Sequence, residues 1–127
     1  LKTYGLELGF AFQLIDDYLD YAGDSKNLGK NLGDDLADGK CTLPLIRGLK
    51  EASREESDLI TRAITFGDRD RFSDVAAIVT KTSGLTYTKE RALSAVKKAK
   101  QALRILPDSA FKDGLIGLAD LSVSRGN

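Results

Sequence analysis

Apolar positions in this chain recur at helical spacing, and strict apolar/polar alternation is hard to find, so the pattern predicts helices and no sheet. Over residues 3–21 apolar side chains occupy most of the helical circumference, which marks a central helix. Gly23 is its expected stop. A Gly/Asp/Lys-rich stretch to Lys40 reads as a loop. Thr42 is placed to cap the next helix, with Pro44 tolerated in its first turn, and that helix is expected to reach Ala52. Ser53 and Glu56 have the spacing of a capping box, opening a helix that ends near Phe66. Another helix is expected over residues 69–82, stopped by Gly84. The longest is expected over residues 87–106, where Ala92, Val96, Ala99, Ala102, Leu103 and Leu106 recur at helical spacing and Pro107 ends the run. Asp108 or Ser109 then caps a last helix to Ser124. No linker or repeat interrupts the pattern, so the fold class is all-α, with five or six helices joined by short connections.

Composition narrows the chemistry. The 127 residues carry 19 basic and 19 acidic side chains, so no global field favours nucleic acid or an anionic membrane. There is no histidine and a single cysteine, which excludes Cys/His zinc sites, internal disulfides and Ser-His-Asp or Cys-His catalysis. Cys41 is expected to be a small buried residue in a reducing, cytoplasmic setting. No apolar run reaches the roughly 18 residues of a transmembrane helix. The chain starts at Leu1, inside a helical pattern, as a truncated or partly seen chain would.

Candidate chemistry lies at the end of the first helix. At about 100° per residue, with Gln13 at zero, Asp17 falls at about 40°, Asp20 at about 340° and Asp16 at about 300°. Three carboxylates in so small an arc repel one another and sit at the negative end of the helix dipole. A divalent cation reverses both penalties, and magnesium prefers such oxygen ligands together with phosphates and water. A solvated acidic face is the commoner meaning of the same pattern.

The loop adds weight to the cation. Lys30 and Lys40 each follow a glycine, which gives ammonium groups to phosphate oxygens on a backbone able to turn tightly. A magnesium-diphosphate needs both parts, the carboxylates and the lysines. The glycine spacing is wrong for a P-loop, and the oxygen-ligand spacing is wrong for an EF-hand. Taken singly, the lysines also read as ordinary loop residues, and Asp34, Asp35 and Asp38 as turn formers or caps.

The run GFAFQLIDDYLDY from Gly9, followed by LGKNLGDDLADGKCTLPLI from Leu28, resembles the second aspartate-rich region of the trans-polyprenyl diphosphate synthases, and the tail from Leu106 is similar to their octaprenyl branch. The resemblance covers the whole chain. It implies a C-terminal portion, residues 1–127, of one isoprenoid-synthase helical bundle. It also implies magnesium-dependent head-to-tail condensation of isopentenyl diphosphate with an allylic diphosphate, for isoprenoid and ubiquinone side chains. Under it Asp16 is the main Mg²⁺ ligand, with Asp17 and Asp20 supporting it. Lys30 and Lys40 hold the allylic diphosphate, Phe12 lines the cavity and Gln13 lies near substrate. Asp16, Lys30 and Lys40 are the catalytic set. Arg125 lies where some members place basic residues over the site. The whole enzyme is expected to be a homodimer.

The family's first aspartate-rich motif does not occur in these 127 residues, so this piece alone is expected to be inactive. The competing expectation is a non-catalytic subunit that binds a partner synthase, but such a subunit has no need of an intact second acidic motif. A terpene cyclase is disfavoured by the GK-x-T-L-P stretch from Gly39.

Overall fold

The computed structural model describes residues 1–22 and 32–125, and every regular element among them is helical. These are α1 (Lys2–Ala22), a single turn α2 (Asp34–Ala37), α3 (Leu43–Glu51), α4 (Arg54–Phe66), a 3₁₀ turn (Arg69–Arg71), α5 (Phe72–Lys81), α6 (Gly84–Ala102) and α7 (Ala110–Ser124). Among the described residues six helices exceed one turn, in keeping with the all-α expectation. The expected stop at Gly23 and the expected site residue Lys30 lie outside the described residues. The chain divides into two compact units, Asp17–Thr88 and the pair Leu1–Asp16 with Lys89–Asn127, so the boundaries fall inside α1 and inside α6.

The unit Asp17–Thr88 is built on a core of Tyr21, Leu36, Leu45, Ile60, Ala63, Val75, Ile78 and Val79. α3 and α4 both pack on α5, and α2 packs on α4. The local signals act as their chemistry dictates. Ser53 Oγ accepts from the Glu56 N–H while the Glu56 carboxylate accepts from the Ser53 N–H, closing the capping box. Pro44 sits at the start of α3, but the Thr42 hydroxyl makes no cap bond and is buried with no hydrogen-bond partner among the described residues.

Several boundaries differ from expectation for identifiable reasons. The expected loop contains the α2 turn, whose first residues are Asp34 and Asp35. The helix expected over residues 69–82 is broken, because the Asp68 carboxylate accepts from the Asp70 N–H and sets a 3₁₀ turn before α5 begins. Gly84 does not end a helix; it starts α6, where a Cβ would lie 2.6 Å from the Pro44 carbonyl oxygen and 2.9 Å from a Val79 methyl carbon. Close approach of α3, not chain reversal, explains that glycine. α6 then runs only to Ala102 and unwinds through i→i+3 bonds at Leu103, Arg104 and Leu106, which leaves α1, at 21 residues against 19, the longest helix. Cys41 is exposed, not buried.

In the other unit, Ala92, Val96, Ala99 and Leu103 of the expected apolar face are buried. Ser109 caps α7 by accepting from the Lys112 N–H. The Tyr4 hydroxyl donates to the Leu115 carbonyl at 2.7 Å, and Lys100 pairs with Asp120 at 2.6 Å, fastening α1 and α6 to α7. Leu6 and Phe10 on α1, and Phe111, Leu118 and Leu121 on α7, leave apolar stripes exposed.

One electrostatic feature gives an acid-stability prediction. Glu56, at the start of α4, lies 2.8 Å from Lys81 in the last turn of α5. The hydrogen bond from Lys81, then that from the Ser53 backbone, hold its carboxyl down to about 2. Its folded value lies below the unfolded one, so its contribution is whole above the ordinary 4.5 and is lost as pH falls from there through about 2. Glu56→Gln is expected to shrink the stability difference between about pH 5 and about pH 2.5 measured by urea unfolding. An unaltered difference would mean the pair does not form in solution.

Candidate functional site

The acidic residues of α1 do not share one environment. Asp16 is exposed, with about half its side chain open (51%), whereas Asp17 is 9% exposed and Asp20 is fully buried. The expected arc is present along the helix, but it is not a solvated stripe. Over its later turns α1 buries Ala11, Leu14, Ile15, Leu19 and Tyr21, and Asp17 and Asp20 are buried among those turns.

In the unit containing Asp16, Arg125 ends α7 and reaches this carboxylate. Its Nη1 donates to Asp16 Oδ1 at 2.9 Å, its Nη2 to the Phe12 carbonyl at 3.3 Å and its Nε to the Ser122 carbonyl at 3.4 Å. The guanidinium carbon stands 4.8 Å from the centroid of the Phe12 ring, over its face. Gln13 is exposed and Phe12 half-buried.

In the unit containing Asp17 and Asp20, the end of α1 is tied to the α2 turn. The Gly33 N–H donates to the Asp20 carbonyl at 3.2 Å. Tyr21 is buried, stacks on Phe72 at 5.7 Å between centroids, and its hydroxyl has no hydrogen-bond partner among the described residues. Burial first, and then the negative charges of Asp20, Asp35, Cys41 and Asp17, push its ionisation far above the ordinary tyrosine range. One buried hydroxyl therefore feels the last turn of α1 and the segment that carries Lys40 together. Lys40 is exposed; its N–H donates to the Asp35 carbonyl at 2.8 Å, just past Gly39 at φ +75°. Asp34 lies 2.5 Å from Arg69, which anchors the α2 turn against the 3₁₀ segment. The Lys40 ammonium thus projects from a fastened turn.

Among the described residues, no three His, Cys, Asp or Glu side chains are grouped to enclose a metal ion. A closed cage is not what a diphosphate-binding cation needs. Magnesium takes one or two carboxylates and completes its shell with water and phosphate oxygens. The exposed carboxylate of Asp16 is a hard oxygen donor of that kind, so the residues present fit a cation held jointly with a phosphate ligand. A shallow groove of about 480 Å³, lined by Leu59, Arg62, Ala63 and Phe66 among others, includes none of the candidate residues.

The Arg125–Asp16 pair joins residues 109 positions apart and has no local signature.

Comparison with known proteins agrees with this architecture. The profile of the polyprenyl synthetase family matches residues 1–83. The chain is 47% identical over 126 residues to the octaprenyl diphosphate synthase of Haemophilus influenzae, covering 98% of this chain and 38% of that protein. It is 44% identical to that of Escherichia coli, covering 98% and 39%. A polyprenyl synthase from Caulobacter crescentus, solved with calcium and isoprenyl diphosphate, superposes with a TM-score of 0.90 at 39% identity, over 98% of this chain and 38% of that one. The chain spans about two fifths of the length of the curated relatives it matches.

Proposed function

The chain belongs to the polyprenyl synthetase family, and on that premise we propose that it forms the C-terminal part of a polyprenyl, specifically octaprenyl, diphosphate synthase domain. The reaction is head-to-tail condensation. The allylic C–O bond breaks, the alkene of isopentenyl diphosphate forms the new C–C bond, and a proton is then shed.

The observation that carries this reading is the acidic end of α1, with Asp16 open and Asp17 and Asp20 turned inside. Asp16 would hold Mg²⁺, with Asp17 and Asp20 supporting it. The cation supplies Lewis acidity and a charge clamp on the departing diphosphate. Lys40, and Lys30 outside the described residues, neutralise the same diphosphate's oxygens. Phe12 presents an apolar wall beside the reacting carbons, and Gln13 a polar contact to substrate. The calcium and isoprenyl diphosphate in the Caulobacter relative's crystals support a divalent cation and a diphosphate as its ligands. Among the described residues no helix is long and apolar enough to cross a membrane. We place the enzyme in the cytoplasm, as a homodimer, with the first acidic motif supplied by sequence outside these 127 residues.

The test is elongation by the enzyme containing this chain, given Mg²⁺, farnesyl diphosphate and labelled isopentenyl diphosphate. A product of eight isoprene units is expected. A folded enzyme carrying both acidic motifs that yields no elongated product would sink the reading.

A further inference from the structure

Asp16 is the carboxylate that the proposed function gives to the cation, yet its Oδ1 accepts a hydrogen bond from Arg125. An exposed ion pair between two free side chains is usually worth little, because both must be ordered to make it. Here the arginine is ordered by other contacts: the Phe12 and Ser122 carbonyls and the face of the Phe12 ring. It also stands at the C-terminus of α7, where the helix dipole favours a positive charge. The guanidinium is therefore delivered to Asp16 ready-made, with little further ordering needed to form the pair.

From this geometry we infer that Arg125 is the counter-ion of Asp16, in direct competition with a divalent cation for the same carboxylate oxygen. The inference rests on the reading of Asp16 as a cation ligand. It assigns Arg125 a positioning role: it aims the carboxylate and sets a threshold of cation concentration below which Asp16 stays paired. Because the other contacts to Arg125 do not involve Asp16, the guanidinium need not leave its seat when the carboxylate turns to a cation. The exchange is a side-chain rotation at Asp16, with no helix displaced. Contact with substrate forms no part of this role.

A Mn²⁺ titration of the folded protein, with free Mn²⁺ read by electron paramagnetic resonance, tests it. Arg125→Gln is expected to tighten the Asp16-dependent site by about two- to fivefold, the strength of an exposed pair. Arg125→Lys, which keeps the charge but not the planar fork, should fall between Gln and the parent. Asp16→Asn should remove the site in either background. A merely structural arginine predicts the opposite sign, weaker binding when it is lost. Unchanged or weaker Mn²⁺ binding in Arg125→Gln, while Asp16→Asn still removes the site, overturns the counter-ion role and leaves the metal reading intact. A titration that Asp16→Asn does not alter overturns the metal reading, and this inference with it.

Discussion

Asp16→Asn is expected to lower kcat for prenyl transfer by about 10²–10³-fold, the scale of removing one preorganised charge contact at a departing oxyanion. The substitution isolates charge from shape. Asparagine keeps the size of the side chain, and its amide oxygen still accepts from Arg125, so the link between α1 and α7 survives. Asp16 is half exposed, so no buried group is left without a partner and the unfolding midpoint should hardly move. The loss should fall mainly on kcat, because stabilisation of the departing diphosphate matters most in the transition state. The solvated-face reading of the same helix predicts no measurable change in either constant. Activity of the enzyme containing this chain, with urea unfolding run in parallel, separates the two. Full activity in a folded Asp16→Asn enzyme would remove Asp16 from the site.

What the sequence made legible was whatever is decided within one or two helical turns. Ser53 with Glu56, and Ser109, act through neighbours three residues away, Pro44 at the head of α3 acts through its own fixed φ, and all are where periodicity and capping chemistry put them. The angular arc of Gln13, Asp16, Asp17 and Asp20 was also legible, because a helix fixes it. Which edge of that arc faces inward was not, because cover comes from elements far along the chain; Asp17 and Asp20 are buried where a solvated stripe was the plainer expectation. Gly84 failed for the same reason. A glycine at a helix start and a glycine after a helix end look alike in sequence, and only the Pro44 carbonyl beside it distinguishes them. Cys41 reversed a composition rule, since free cysteines are usually buried and this one is exposed. The resemblance put Arg125 over the site, but its seat on the Asp16 carboxylate comes from a pairing across the fold that no local pattern encodes.

Gly67→Ala is expected to destabilise the protein by about 2–4 kcal/mol, and Gly39→Ala by only about 1 kcal/mol, although both glycines have positive φ. Gly67 closes α4 in the left-handed region at φ +58°, its N–H part of the C-terminal cap on the Ala63 carbonyl. An alanine there carries the strain of that backbone conformation. It also carries a collision, because its Cβ would stand 2.5 Å from the Ala37 carbonyl oxygen and 3.4 Å from the carbonyl carbon. These are backbone atoms of α2 and cannot swing aside as a side chain can. Gly39, at φ +75°, meets only the Ile64 carbonyl oxygen at 3.7 Å, so its alanine adds backbone strain and nothing else. The difference has a functional consequence. Relief of the Gly67 collision must move the α2 turn, whose Asp35 carbonyl fixes the Lys40 backbone and hence the ammonium proposed to hold diphosphate. Gly67→Ala should therefore raise KM for the allylic diphosphate in the fraction that remains folded. Urea midpoints and steady-state kinetics on the two variants measure both parts. Equal stability losses would mean that α4 and α2 do not approach so closely in solution. A large loss with unchanged KM would mean that the α2 turn does not position Lys40.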